Sequence, residues 1–165
     1  MGIKLLVIGI GNTLRMDDGI GIYLVRELKN YYDEKEVKIY EIGTETWRIL
    51  PIVEEERCEN LVIVDAINFN LIPGFVYISK NPKIIDICTF SSHEKNYLDI
   101  EILSCLDFLK NFYIFGIEPD KIDWKIGLSE TLLEKFEEIL DKLIKFCDLI
   151  LKKENEDDLL RIEKF

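Results

Sequence analysis

One stretch constrains this chain more than any other. Gly9-Ile10-Gly11-Asn12-Thr13-Leu14-Arg15-Met16-Asp17-Asp18-Gly19-Ile20-Gly21 follows directly on the apolar run Ile3, Leu5, Leu6, Val7 and Ile8. A short, nearly continuous apolar run is the pattern of a strand buried on both faces of a parallel sheet. Gly9 and Gly11 then allow a turn closed to other residues, and Asp17 or Asp18 can cap the helix that follows. Strand, glycine turn and acid-headed helix are therefore expected in that order. A cap needs one carboxylate, so the second acid is left over for another task.

Two phosphate-binding readings fail on the same residues. The third glycine of a dinucleotide fingerprint would fall at Leu14, and two acids would face the pyrophosphate. No Lys-Ser or Lys-Thr follows the glycines, which removes the P-loop.

The rest of the chain reads as alternating strands and helices. Ile20, Leu24, Val25 and Leu28 form a helical stripe, and Val37, Ile39 and Ile42 a strand ending at Gly43-Thr44. A short helix through Trp47, Leu50 and Val53 carries Pro51. Leu61 to Val64 is a β-branched strand that stops at Asp65, and Phe75 to Ile78 follows the turn at Pro73-Gly74. Ser91 and Glu94 form a capping box before a stripe of Leu98, Ile102, Leu106 and Leu109. Phe112 to Ile117 reads as a fifth strand, 118 to 128 as a loop, and a long helix starts near Ser129 or Thr131. The expected fold is a three-layer α/β domain, its sheet mainly parallel and twisted, of about five strands, with helices on both faces. A single domain over 1–153 and a charged tail over 154–165 are expected.

At 165 residues the chain can bury a core without disulfides. A net charge of −11 argues against nucleic acid, whose phosphates need clustered Lys and Arg. No apolar stretch approaches a membrane span and no basic leader opens the chain, so no membrane partner and a cytoplasmic location are expected. Cys58, Cys88, Cys105 and Cys147 lack metal or redox spacing and read as reduced thiols, mostly structural.

In an open parallel sheet, ligands bind at the carboxyl ends of the strands, where successive crossovers diverge. Asp18 after strand one and Asp65 after strand three should border that crevice. His93, the single histidine, is expected just beyond strand four on the first turn of a helix, where the dipole favours the neutral ring. Two carboxylates and an imidazole make a mixed oxygen and nitrogen set suited to nickel, zinc or similar ions.

These residues resemble the hydrogenase maturation endopeptidases, which trim the large subunit of nickel-iron hydrogenases. The resemblance rests on Gly9-Ile10-Gly11-Asn12 with Leu14, Asp17-Asp18-Gly19-Ile20-Gly21, Gly43-Thr44, Val64-Asp65-Ala66, His93, Gly116-Ile117 with Pro119, and Gly127-Leu128-Ser129. It implies removal of a C-terminal extension from the large-subunit precursor after nickel insertion. It also implies that Asp18, Asp65 and His93 are the metal-contacting and catalytic positions of a metal-linked, aspartic-type endopeptidase, with Gly43 and Thr44 as substrate-binding residues. Glu41 departs from the family's usual aspartate. The Lys- and Ile-rich acidic chain further resembles the methanogen branch, whose members serve coenzyme F420-reducing or related hydrogenases. The metal is either nickel carried by the substrate or a hydrolytic ion, such as zinc, held by the enzyme; the absence of His-Glu-x-x-His favours the substrate's nickel. A monomer is expected. The competing reading is a binding module without peptidase activity: a nucleotide-responsive α/β domain or a hydrogenase maturation chaperone.

Overall fold

The computed structural model describes residues 2–82 and 100–152. Its centre is the pair β1 (Leu5–Ile10) and β3 (Asn60–Ala66), in which every residue is buried, as a strand covered on both faces requires. α1 (Ile20–Leu28) leads to β2 (Val37–Gly43), and α2 (Ile49–Glu56) leads from β2 to β3. β4 (Val76–Lys80), α3 (Ile100–Leu103), β5 (Asn111–Ile117) and the long α4 (Glu130–Lys152) complete the described chain. The sheet order is β2-β1-β3-β5-β4. β1, β2, β3 and β5 run parallel, so the expected mainly parallel α/β sheet of five strands is what forms.

β4 pairs antiparallel with β5, with Val76 opposite Ile117 and Lys80 opposite Tyr113. Only residues 67–75 join it to β3, too few for a helical crossover, so the chain returns along the opposite direction.

The two faces are covered separately. Ile20, Leu24 and Leu28 of α1 pack with Val7 and Val64 and with Leu140, Leu143 and Phe146 of α4. Phe146 meets Tyr113 edge-on, ring centres 5.2 Å apart. On the other face Ile49, Ile52 and Val53 of α2 cover Leu6, Ile8 and Ile63. Pro51 falls in the first turn of α2, where a missing N–H breaks no helical bond. Ser129 caps α4, its hydroxyl accepting from the Leu132 amide at 3.3 Å.

Four expectations fall outside the described residues: His93, Cys88, the capping box at Ser91 and Glu94, and the tail at 154–165.

Candidate active site

The strand order puts the divergence of crossovers between β1 and β3, because α1 carries the chain to one side of β1 and α2 carries it back to the other. The glycines let α1 begin very close to that edge. A Cβ on Gly21 would lie 2.6 Å from the carbonyl of Ile10, the last residue of β1, and would also run into the Val64 carbonyl near the end of β3. Gly11, at φ +139°, brings its backbone against the Asp18 carbonyl.

Between the glycine turn and α1 lies a short 3-10 helix, Met16–Gly19, which holds both aspartates in buried positions. Neither side chain caps α1, whose N-cap is Gly19; the expected cap is replaced by two separate tasks. Asp18 accepts from the Asn12 amide at 2.9 Å, which fixes its carboxylate over the turn after β1. Asp17 turns away. Its Oδ2 accepts from the amides of Asp120 and Lys121, both at 2.9 Å, and its Oδ1 from Ser129 at 2.7 Å. Asp17 is therefore the structural member of the pair: it moors the loop after β5.

Asp65 is fully buried near the end of β3, in register with Gly116 of β5. Asp18 and Asp65 thus both stand at the carboxyl edge of the β1/β3 crevice. Gly43, at φ +61°, ends β2 beside them and accepts from the Gly11 amide at 3.0 Å through its carbonyl, and Thr44 is exposed just beyond.

His93 is not placed, and the premise for its position changes. β4 runs away from the carboxyl edge, so the chain leaves Lys80 at the opposite edge, level with the start of β5. Among the described residues no three His, Cys, Asp or Glu side chains group closely enough to hold a metal ion. What they offer is two buried carboxylates, an oxygen pair that suits a divalent ion and needs a further donor to fix its geometry.

Other groups near this edge are committed elsewhere. Glu41 takes bonds from Arg26 of α1 at 3.0 Å and from Lys29, the residue after α1, at 2.7 Å. Burial works against its charge, but those cations outweigh it and hold the carboxyl below its ordinary value. Glu118 follows β5 and is buried; it accepts from the Phe69 amide at 2.8 Å and moors the β3–β4 loop as Asp17 moors the β5–α4 loop. Cys58 and Cys147 are buried free thiols whose pKa burial raises, Cys58 to about 12, which makes them inert as nucleophiles.

A glycine turn and two buried carboxylates thus stand at the topological switch point of an α/β fold, and neither buried thiol, Cys58 or Cys147, is activated. Residues 22–146 match the family model of hydrogenase maturation proteases. A Methanocaldococcus jannaschii relative bearing that family's name is 30% identical over 157 residues, spanning 88% of this chain and 89% of its own. The hydrogenase 2 maturation protease of Escherichia coli is 28% identical over 149 residues, spanning 86% and 88%. Among solved structures, the E. coli hydrogenase maturating endopeptidase HybD superposes with a TM-score of 0.72 at 27% identity, covering 88% of this chain and 91% of that one. The chain belongs to the hydrogenase maturation protease family. It is a hydrolase of the endopeptidase type, and the resemblance carried by the glycine and aspartate motifs holds.

Proposed function

We propose that this endopeptidase trims its nickel-iron hydrogenase large-subunit precursor at a site formed by Asp18, Asp65 and His93, which engage the nickel that the precursor already carries. The observation that supports the reading is that Asp18, in the 3-10 helix after β1, and Asp65, near the end of β3, are both buried carboxylates at the carboxyl edge of the two central strands. His93 completes the set as the nitrogen donor. The chain from Pro82 to His93 can span on the order of 35 Å, more than the length of a strand, so leaving β4 at the far edge is no obstacle.

Nickel engaged there would supply a positive charge that polarises the scissile carbonyl and fixes its place. One carboxylate accepts the proton of the attacking water as the oxygen bonds to the carbonyl carbon. The carbon–nitrogen bond then breaks and that proton passes to the departing amine, so peptide plus water becomes carboxylic acid plus amine, which ionise to carboxylate and ammonium. Gly43 and Thr44 flank the peptide at the end of β2, where no Cβ at residue 43 crowds the approach. The reaction is assigned to a cytoplasmic monomer; no described helix is long and apolar enough to cross a membrane.

Nickel-loaded and nickel-stripped precursor, each incubated with the wild type and with His93→Ala, test the assignment by intact mass. Loss of the extension only from loaded precursor, and only with wild type, is expected. Equal trimming of stripped precursor would assign the metal to the enzyme instead, and full activity of His93→Ala would remove the histidine from the site.

A further inference from the structure

The loop after β5 and the turn before Asp18 are a single structural unit. Arg15 and Lys125 form a parallel bridge, and the Met16 amide donates to the Lys125 carbonyl at 2.9 Å. The Asp17 amide donates to the Lys121 carbonyl at 3.1 Å, while the Asp17 carboxylate takes three amides from the same loop. This unit displays large apolar side chains to solvent: Trp124 is 75% exposed, Ile126 72% and Leu14 53%. The bridge sets Leu14 beside Trp124, and the Arg15 guanidinium lies over the indole at 5.2 Å from its centre. Single exposed apolar residues are ordinary, but several held together on a moored backbone mark an interaction surface.

We infer that Leu14, Arg15, Trp124 and Ile126 form a recognition platform that seats an extended apolar segment of the precursor beside its scissile bond. The identity of the partner rests on the peptidase reading above. Three features choose this occupant. The platform is continuous with the candidate site, since Asn12 in the same turn donates to Asp18. The bridged pair Arg15 and Lys125 puts two cations on this rim, in a chain whose net charge is −11, beside the acidic crevice that a peptide must enter. The backbone is already ordered, so docking costs little conformational entropy, and Trp and Arg are the side chains that most often anchor such contacts.

Binding of nickel-loaded precursor is measured by calorimetry for wild type, Trp124→Ala, Trp124→Phe and Tyr31→Ser, with trimming followed by mass in parallel. Tyr31 is an exposed apolar residue just beyond α1, remote from the platform. Trp124→Ala is expected to weaken binding at least tenfold with an unchanged melting temperature, Trp124→Phe to restore most of it, and Tyr31→Ser to bind as wild type. In steady state, Trp124→Ala should raise KM and leave kcat within about twofold. Wild-type affinity in Trp124→Ala, or an equal loss in Tyr31→Ser, overturns the platform. Tryptophan-dependent binding without any trimming leaves the platform standing and removes the peptidase reading; normal trimming with tryptophan-independent binding does the reverse. Failure of the wild type to bind the precursor overturns both.

Discussion

Asp17 and Asp18 are adjacent acids with opposite fates, and the partners of their oxygens separate them. Asp17 is buried and accepts from three amides, so Asp17→Ala removes the acceptor of all three. A loss of about 3 kcal/mol or more is expected, equivalent to a fall in Tm of roughly 6–12 °C in a scanning melt. Glu41 supports a smaller, pH-dependent claim. Its carboxyl is held below its unfolded value, so its contribution is fully present above the unfolded pKa and is lost as pH falls through the folded one. Glu41→Gln should therefore destabilise by at most about 1 kcal/mol at pH 7, since the pair is partly solvated, and chemical denaturation should show the difference fading below roughly pH 5. At this scale the sequence exposes the surplus acid and no more. Which aspartate is structural depends on amides at 120, 121 and 129, whose proximity is created only when the sheet forms.

Among the elements, the tightest fit is α1 against the ends of β1 and β3. A methyl group at Gly21 would meet two main-chain carbonyls, and strands buried on both faces cannot shift to make room. Gly21→Ala is expected to cost at least about 2 kcal/mol and to displace Asp18, so that urea denaturation and trimming activity both fall. The central strands were legible because β1 and β3 are apolar throughout, and α1 because Ile20, Leu24, Val25 and Leu28 keep a helical period. The direction of β4 was not legible. Alternation over Phe75 to Ile78 looks the same for either direction, and only the short connection over 67–75 decides it. The sequence-based route from strand four to His93 depended on that direction, whereas Asp18 and Asp65 depended only on where β1 and β3 end.

Across the whole molecule, the exposed apolar residues are unevenly placed. Among the described residues, Leu14, Trp47, Leu71, Ile72, Phe75, Trp124 and Ile126 lie on the connections that follow β1, β2, β3 and β5 at the carboxyl edge of the sheet, while Tyr31, Tyr77, Ile102 and Leu133 lie elsewhere. A small-molecule enzyme needs a concave pocket lined in this way, while a rim of outward-facing apolar groups suits a protein client. That distribution agrees with the family's activity as proteases, whose client is itself a protein. The central claim is that Asp65 is part of the reacting site and not merely buried beside it. Intact-mass analysis of nickel-loaded precursor incubated with Asp65→Asn, a nearly isosteric change, tests this directly. The precursor should keep its C-terminal extension while the variant retains a wild-type melting profile; complete trimming by a folded Asp65→Asn would contradict the account.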